Sequence, residues 1–123
     1  MSLAIWVQTN VDTGGSEPHR VTLYSGNVTH NLGKMAAEAG VYKAVWCLDE
    51  YMAELHGEEK LPTAEWLSGV IEEGLKDLRD RPMHYKQFNP ANGWGDYEGF
   101  VEFLGDYLTA LKTHPKAFIE VWK

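Results

Sequence analysis

Apolar residues recur every three or four positions in two long stretches, the spacing that places them on one face of an α-helix. The first stretch predicts a helix from residue 64 to about 80, with Thr63 placed to cap its start. The second predicts a helix from residue 97 to about 112, capped by Asp96. Gly74 falls on the buried face of the first helix, so we expect another element to approach it closely.

The central part of the chain predicts shorter helices. Val28, Leu32, Met35 and the alanines near them share one side of a helix predicted over residues 27–39, with Asn27 or Ser25 as its cap and Gly40 at its end. Residues 41–56 fit either an extended segment followed by a helix or helix throughout. We favour a helix over residues 49–56, closed by Gly57 and followed by a charged loop over residues 57–62.

Residues that favour β-structure lie near the two ends of the chain. We predict strands over residues 3–9, 20–24 and 117–122, the first two forming an antiparallel hairpin. The strands gain backbone partners most simply in one sheet, on which the helices pack. The sequence therefore predicts a single α+β domain over residues 1–123, with a small antiparallel sheet of two or three strands and three or four helices.

The charge balance narrows the classes of partner. The chain has 18 acidic and 11 basic residues and a net charge of −7. Such a surface repels phosphate backbones, so direct nucleic-acid binding is not expected. No apolar run approaches the ~20 residues of a membrane helix, and no signal peptide is recognised. Cys47 is the single cysteine and is expected to be a buried, inert thiol, which suits a cytoplasmic protein.

Motifs of known catalytic sites are absent from the sequence. There is no phosphate-binding loop, no dinucleotide fingerprint, no His-Glu-x-x-His and no cysteine pair. The five histidines are isolated, without the short spacing of metal ligands. We therefore predict no cofactor and no metal site, and the sequence leaves open whether the protein is an enzyme.

The first candidate site is the polar face formed by Asn27, His30 and Asn31. On a helix these positions are neighbours, so their side chains can converge. His30 has the chemistry of a general base or a ligand-binding group. The alternative is structural: Asn27 caps the helix, and the other two are solvated or bond a nearby loop.

The second candidate site is the loop over residues 89–96, rich in turn-forming residues. Trp94, between two glycines, has the chemistry to stack on a ligand, with Asn92 or the start of the next helix binding an anion. The alternative is that Trp94 fills the core, while Asn92 and Gly93 make a turn and Asp96 caps the helix. If this loop packs near the first candidate, His30 and Trp94 would line one pocket.

Two segments carry a resemblance. Residues 24–36 contain N-x-T-H-N-x-x-x-M-A, and residues 88–100 contain F-N-P-x-N-G-W-G-x-Y. Together they resemble a group of small uncharacterised proteins encoded in bacterial and phage genomes. The resemblance draws attention to the two segments and implies no activity.

Three functions are compatible with these features. The first is a non-enzymatic interaction protein, for example a phage or mobile-element accessory factor, with a protein partner or a second copy of the chain as its target. It is favoured by the surplus of aromatic residues and the missing catalytic motifs. The second is a small-molecule-binding domain or an enzyme of unrecognised type around His30 and Trp94. The third is an acidic DNA mimic, which requires acids such as Glu98, Glu102 and Asp106 in a row.

Overall fold

The computed structural model describes residues 2–11, 14–15, 19–56 and 63–122. Three strands, β1 (Ser2–Val11), β2 (His19–Thr29) and β3 (Phe118–Trp122), form an antiparallel sheet in the order β2-β1-β3. Ile5 in the central strand faces Gly26 on one side and Val121 on the other. The predicted hairpin and the predicted return of the final strand to the same sheet are both confirmed.

Alternation along β1 separates the two faces of the sheet. Leu3, Ile5 and Val7 are fully buried, whereas Ala4 and Trp6 between them are partly exposed. Successive side chains of a strand point to opposite faces. The buried set joins the hydrophobic core that also contains the apolar faces of the long helices.

All the helices of the described chain lie between β2 and β3 in the sequence. Their bounds are a 3₁₀ turn at His30–Leu32, then α1 (Gly33–Glu38), α2 (Tyr42–Trp46), α3 (Leu48–His56), α4 (Ala64–Asp80), α5 (Pro82–Lys86) and α6 (Tyr97–Thr113). The α+β class is confirmed. The described residues form six α-helices rather than the three or four predicted, because α1, α2 and α5 are short separate helices.

The two long helices, α4 and α6, begin directly after the predicted capping residues Thr63 and Asp96. The Thr63 hydroxyl accepts a hydrogen bond from the Trp66 backbone N–H, and the Asp96 carboxylate accepts one from the Gly99 N–H at 2.7 Å. Each cap satisfies a backbone donor that has no partner within the helix. Leu32, Ile71 and Leu104 are all buried, so the predicted apolar faces do form the core.

The start of the first predicted helix was wrong. Residues 27–29 belong to β2, where Asn27 pairs with Ala4 across the sheet. The helical turn begins only at His30, and Thr29 caps it by accepting from the Asn31 backbone N–H. Neither Asn27 nor Ser25 is the cap. The chain then ends α1 at Gly40 in the left-handed conformation, as predicted, with φ of +79°.

The segment after Gly40 is helical, so the extended alternative for residues 41–46 was wrong. The helix predicted over residues 49–56 is present as α3 and starts one residue earlier. Gly57 and the loop predicted over residues 57–62 lie outside the described residues.

Gly74 of α4 explains how the short helices dock on the long one. A Cβ at this position would collide with the Val41 side chain and lie 3.2 Å from the Ala39 carbonyl oxygen. Only a residue without a side chain permits this approach. The predicted close contact at Gly74 is confirmed, and it fixes the turn between α1 and α2 against α4.

Candidate functional site

The loop before α6 packs directly on the turn that follows β2. Gly95 has a φ of +97°, and a Cβ there would lie 2.7 Å from Thr29 Cγ2 and 3.1 Å from Leu32 Cγ. Glycine is therefore required both by its backbone conformation and by this contact. The two segments that carry the resemblance, far apart in sequence, meet at this point.

Side-chain hydrogen bonds hold the loop in shape. The Asn92 side-chain oxygen accepts from the Trp94 backbone N–H at 3.0 Å, and the Asn89 side-chain oxygen accepts from the Tyr97 N–H at 2.8 Å. The bond between Asn92 and the backbone two residues on is typical of tight turns, whereas the Asn89 bond spans eight residues and joins the loop to the start of α6. Gly93 supplies a second left-handed residue, with φ of +75°. Trp94 thus projects from a loop of fixed backbone.

Trp94 is at the surface, with 70% of its area exposed. The alternative in which its indole fills the core is therefore wrong. Trp46, by contrast, is 2% exposed and belongs to the core. The largest apolar side chain of this loop is therefore presented to solvent.

A depression of about 470 Å³ lies beside the Trp94 ring. We call it the Trp94 depression, and its lining residues are Ser2, Thr29, Asn31, Asn92 and Trp94. Its surface is mainly apolar in area, with amide and hydroxyl groups along it. None of the side chains that line it among the described residues is charged.

A second depression, of about 540 Å³, continues on the other side of Asn31. We call it the His30 groove. It runs between the start of α1 and the loop after α5, and its lining residues are His30, Asn31, Lys34, Gln87, Phe88, Asn89, Pro90 and Ala91. Asn31 lines both depressions, so they are neighbours on one side of the molecule.

The imidazole ring of His30 is hydrogen-bonded to Trp46, a residue of the core. The Trp46 indole N–H donates a hydrogen bond to His30 Nδ1 at 2.8 Å. Since Nδ1 is the acceptor, the neutral ring carries its proton on Nε2. His30 also lines a third depression, of about 490 Å³, which we call the Tyr42 depression. Its other lining residues are Gly33, Lys34, Ala37, Tyr42 and Trp46.

The structure brings together most of the predicted site residues. Asn31, Asn92 and Trp94 line one depression, and His30 lines the next one, with Asn31 shared between them. His30 and Trp94 do not line the same depression, although Asn31 borders both of the depressions that they line. Asn27 lines none of the three because it lies on β2, and Asp96 is the helix cap.

Four residues of this surface were missed by sequence reasoning. Ser2 was not among the predicted site residues, and Thr29 was placed inside a helix. Lys34 was not among the candidate residues either, and the contact between Trp46 and His30 joins residues 16 positions apart. No local sequence pattern signals such a pair.

The clearest pKa shifts occur elsewhere. Hydrogen bonds from Arg81 and then from Tyr85 lower the pKa of Asp77 to about 2, and burial raises the pKa of Tyr85 to about 12. Neither residue lines the three depressions. Shifted pKa values therefore give no support to acid–base catalysis at this surface.

The described part of the chain contains neither a cluster of metal ligands nor a membrane-spanning helix. Among residues 2–11, 14–15, 19–56 and 63–122, no group of three or more His, Cys, Asp or Glu side chains is arranged to hold a metal ion. No helix of that part of the chain combines the length and the apolar character needed to cross a bilayer. Cys47 is partly buried against the core rather than fully buried as predicted, and it lies at the junction of α2 and α3.

Comparison with known proteins adds no relative: no family model matches the chain, and no curated protein and no solved structure is significantly similar to it.

Proposed function

We propose that this protein is a non-enzymatic interaction protein that binds a protein partner through the Trp94 depression. The observation that carries the proposal is the exposure of Trp94 on a loop whose backbone is fixed by Asn92 and by the contact of Gly95 with the turn after β2. A partner in the cytoplasm of a bacterium, with the protein acting as a phage or mobile-element accessory factor, fits the resemblance of the two segments.

The energetics of tryptophan favour binding at this place. An indole of this size gains several kcal/mol when it moves from water into a packed interface, at about 25 cal/mol per Å² of apolar area. Tryptophan is enriched among the few residues that dominate interface energies. Because the loop is already ordered, little conformational entropy is lost when the partner binds.

The lining of the depression favours recognition over catalysis. Thr29, Asn31 and Asn92 offer hydroxyl and amide groups around an apolar floor, which resembles the polar rim of an interface. Of the residues that the structure describes, no histidine, carboxylate or lysine lines it. General acid–base chemistry has no group to use at this depression.

The acidic DNA mimic is less favoured by the arrangement of charges. Glu98, the first acid of the row it requires, lies 3.4 Å from Lys86. Other carboxylates also face cations, such as Glu72 with Lys112 and Asp77 with Arg81. A phosphate-like row needs unopposed negative charge along its length.

The proposal is tested with a random peptide library selected on the whole folded chain. The contact surface of the enriched peptides is then mapped by changes in the backbone amide NMR spectrum. We expect the shifts to centre on Asn31, Asn92 and Trp94. Trp94→Ala should weaken peptide binding by about 30-fold or more, which corresponds to about 2 kcal/mol for an interface hot spot.

The matched control is Trp122→Ala. Trp122 is similarly exposed, at 63%, but lies on β3 and lines none of the three depressions. This variant should leave peptide affinity unchanged, and both variants should keep the unfolding temperature of the wild type. Peptides that contact the sheet around Trp122, or that bind Trp94→Ala as tightly as the wild type, would show that the proposal is wrong.

A further inference from the structure

Within the described part of the chain, the two depressions at the start of α1 are lined without carboxylates. The chain has 18 acidic residues and a net charge of −7, yet no carboxylate among the described residues lines the His30 groove or the Tyr42 depression. The ionisable side chains that line both are His30 and Lys34. On a negatively charged protein, this is a place where an anion meets local positive charge.

His30 presents a hydrogen-bond donor there. Its Nδ1 is occupied by the Trp46 indole N–H, so the neutral ring has its remaining hydrogen on Nε2. Nε2 has no hydrogen-bond partner among the described residues. Because Trp46 is 2% exposed and packed in the core, it fixes the orientation of the ring. The donor is therefore oriented before any ligand arrives.

Lys34 leaves its ammonium group available. Glu38 lies one helical turn further along α1 and would be its natural partner, but the Glu38 carboxylate is 3.0 Å from His84 Nε2 instead. Lys34 forms no ion pair with any described residue. Lys43, Lys86 and Lys112, by comparison, each pair with a glutamate.

Amide groups complete the set of donors. The side-chain oxygen of Asn89 accepts from the Tyr97 N–H, which leaves its NH₂ group as the available end. Asn31 lies beside His30 and lines the same groove, and the described residues include no hydrogen-bond partner for its side chain. The groove thus offers an oriented imidazole N–H, an ammonium group and side-chain amides.

We propose that the His30 groove is a binding site for an oxyanion, the carboxylate or phosphate group of a small ligand. Lys34 supplies the charge, while His30 Nε2 and the amides of Asn31 and Asn89 supply directed hydrogen bonds. This site is additional to the protein-partner surface at Trp94 and does not depend on it, although Asn31 borders both.

The test uses the whole chain and two probe anions. Sodium acetate and potassium phosphate are titrated separately into the ¹⁵N-labelled protein, with chloride adjusted to keep the ionic strength constant. The observed signals are the His30 ring nitrogens and the side-chain amides of Asn31 and Asn89. We expect a saturable shift of these signals with at least one of the two anions.

Lys34→Gln should weaken that binding at least about fivefold, the effect of removing one charge at contact distance from a solvated site. Its control is Lys116→Gln, since Lys116 is also exposed, also lines a depression beside a histidine and forms no ion pair with any described residue. This control should leave the affinity unchanged. Both lysines are on the surface, so neither change should affect folding.

The outcomes are distinct. Saturation with acetate alone identifies a carboxylate ligand, saturation with phosphate alone identifies a phosphate ligand, and either result with a Lys34→Gln defect supports the site. Shifts that stay linear with both anions, or that Lys34→Gln leaves unchanged, overturn it. Trp94→Ala should not change this titration, so failure of the oxyanion site and failure of the partner surface are separable.

Discussion

The hydroxyl group of Tyr107 is buried against the ring of Tyr24 without a hydrogen-bond partner among the described residues. The two rings stack with centroids 6.3 Å apart and an angle of 14° between their planes. Burial raises the pKa of Tyr107 above its ordinary value, so the group stays neutral. The ring contributes apolar contact, whereas the hydroxyl contributes only the free-energy cost of its burial.

Replacing that hydroxyl should stabilise the protein. We expect Tyr107→Phe to raise the free energy of unfolding by about 1 kcal/mol, because an unpaired buried hydroxyl is removed while the ring stays in place. Urea unfolding followed by circular dichroism measures the change.

Tyr97→Phe provides the opposite case. The Tyr97 hydroxyl is also in the core, but it donates to the Leu78 carbonyl oxygen at 2.7 Å. Its removal should lower the free energy of unfolding by about 1 kcal/mol. Equal losses for the two variants would show that Tyr107 has a partner after all.

Gly74 and Gly69 of α4 should respond in opposite directions to alanine. Gly74→Ala forces a methyl group against Val41 and the Ala39 carbonyl oxygen and should cost about 1–3 kcal/mol of stability. Gly69 has no neighbour within 4 Å, so Gly69→Ala should gain up to about 1 kcal/mol from helix propensity alone. Urea unfolding of both variants checks the difference, and a stable Gly74→Ala would contradict the close docking of α2.

Gly95 should be less tolerant than Gly93 of the same substitution. Both have positive φ, so alanine strains the backbone at either position, by about 1 kcal/mol. At Gly95 the methyl group also meets Thr29 and Leu32, whereas Gly93 has no neighbour within 4 Å. We expect Gly95→Ala to cost about 1–3 kcal/mol more than Gly93→Ala in thermal or urea unfolding.

A larger loss of stability in Gly95→Ala should be accompanied by a change in the position of the loop that carries Trp94. If the loop lifts from the turn after β2, the backbone amide signals of Asn31 and Trp94 should both shift in the NMR spectrum. Equal stability of the two alanine variants would mean that the loop does not rest on Thr29 and Leu32.

The pH dependence of stability should contain a contribution from Asp77. The carboxylate accepts from Arg81 Nε at 3.0 Å and Nη2 at 2.6 Å, and from the Tyr85 hydroxyl. These bonds lower its pKa from 3.8 to about 2, so the folded state favours the charged form. The stabilisation is complete above pH 3.8 and is lost as the pH falls through about 2.

We therefore expect the wild type to lose stability between about pH 4 and pH 2 more steeply than Asp77→Asn. Tyr85→Phe removes one donor and should give an intermediate slope. Unfolding free energies from urea titrations across this pH range measure all three. Parallel curves for the wild type and Asp77→Asn would mean that the ion pair with Arg81 is not maintained in solution.

Local chemistry made the long helices predictable. Thr63 and Asp96 are followed by regular apolar spacing, so both caps and the starts of α4 and α6 agree with the sequence. A geometric requirement of this kind depends only on neighbouring residues. The same holds for Gly40, where a left-handed residue ends α1.

The end of β2 was not predictable because two periodicities coincide there. Val28 is buried as an inward-facing residue of β2, yet it also falls in phase with Leu32 and Met35 on a helix. One buried valine satisfies both patterns, and only the partner strand decides between them. As a result, the sequence analysis assigned Asn27 to the polar face of a helix, whereas it belongs to the edge strand β2.

The candidate surface was predictable in its segments and not in its geometry. The turn chemistry around Trp94 and the polar residues His30 and Asn31 were visible in the sequence. Their approach depends on Gly95 resting on the turn after β2, and the orientation of His30 depends on Trp46. Both are tertiary contacts between segments that have no common local pattern.

Strand β1 obtains its second neighbour only when the far end of the chain returns to it. Arg20 of β2 and Glu120 of β3, which are 100 positions apart, are joined by a hydrogen bond of 3.3 Å. Closing so large a loop carries an entropic cost that the local hairpin avoids. The hairpin can therefore form early, whereas the third strand must wait for the helical layer to condense. During thermal fluctuations, β3 should be the strand that detaches first, leaving the hairpin intact.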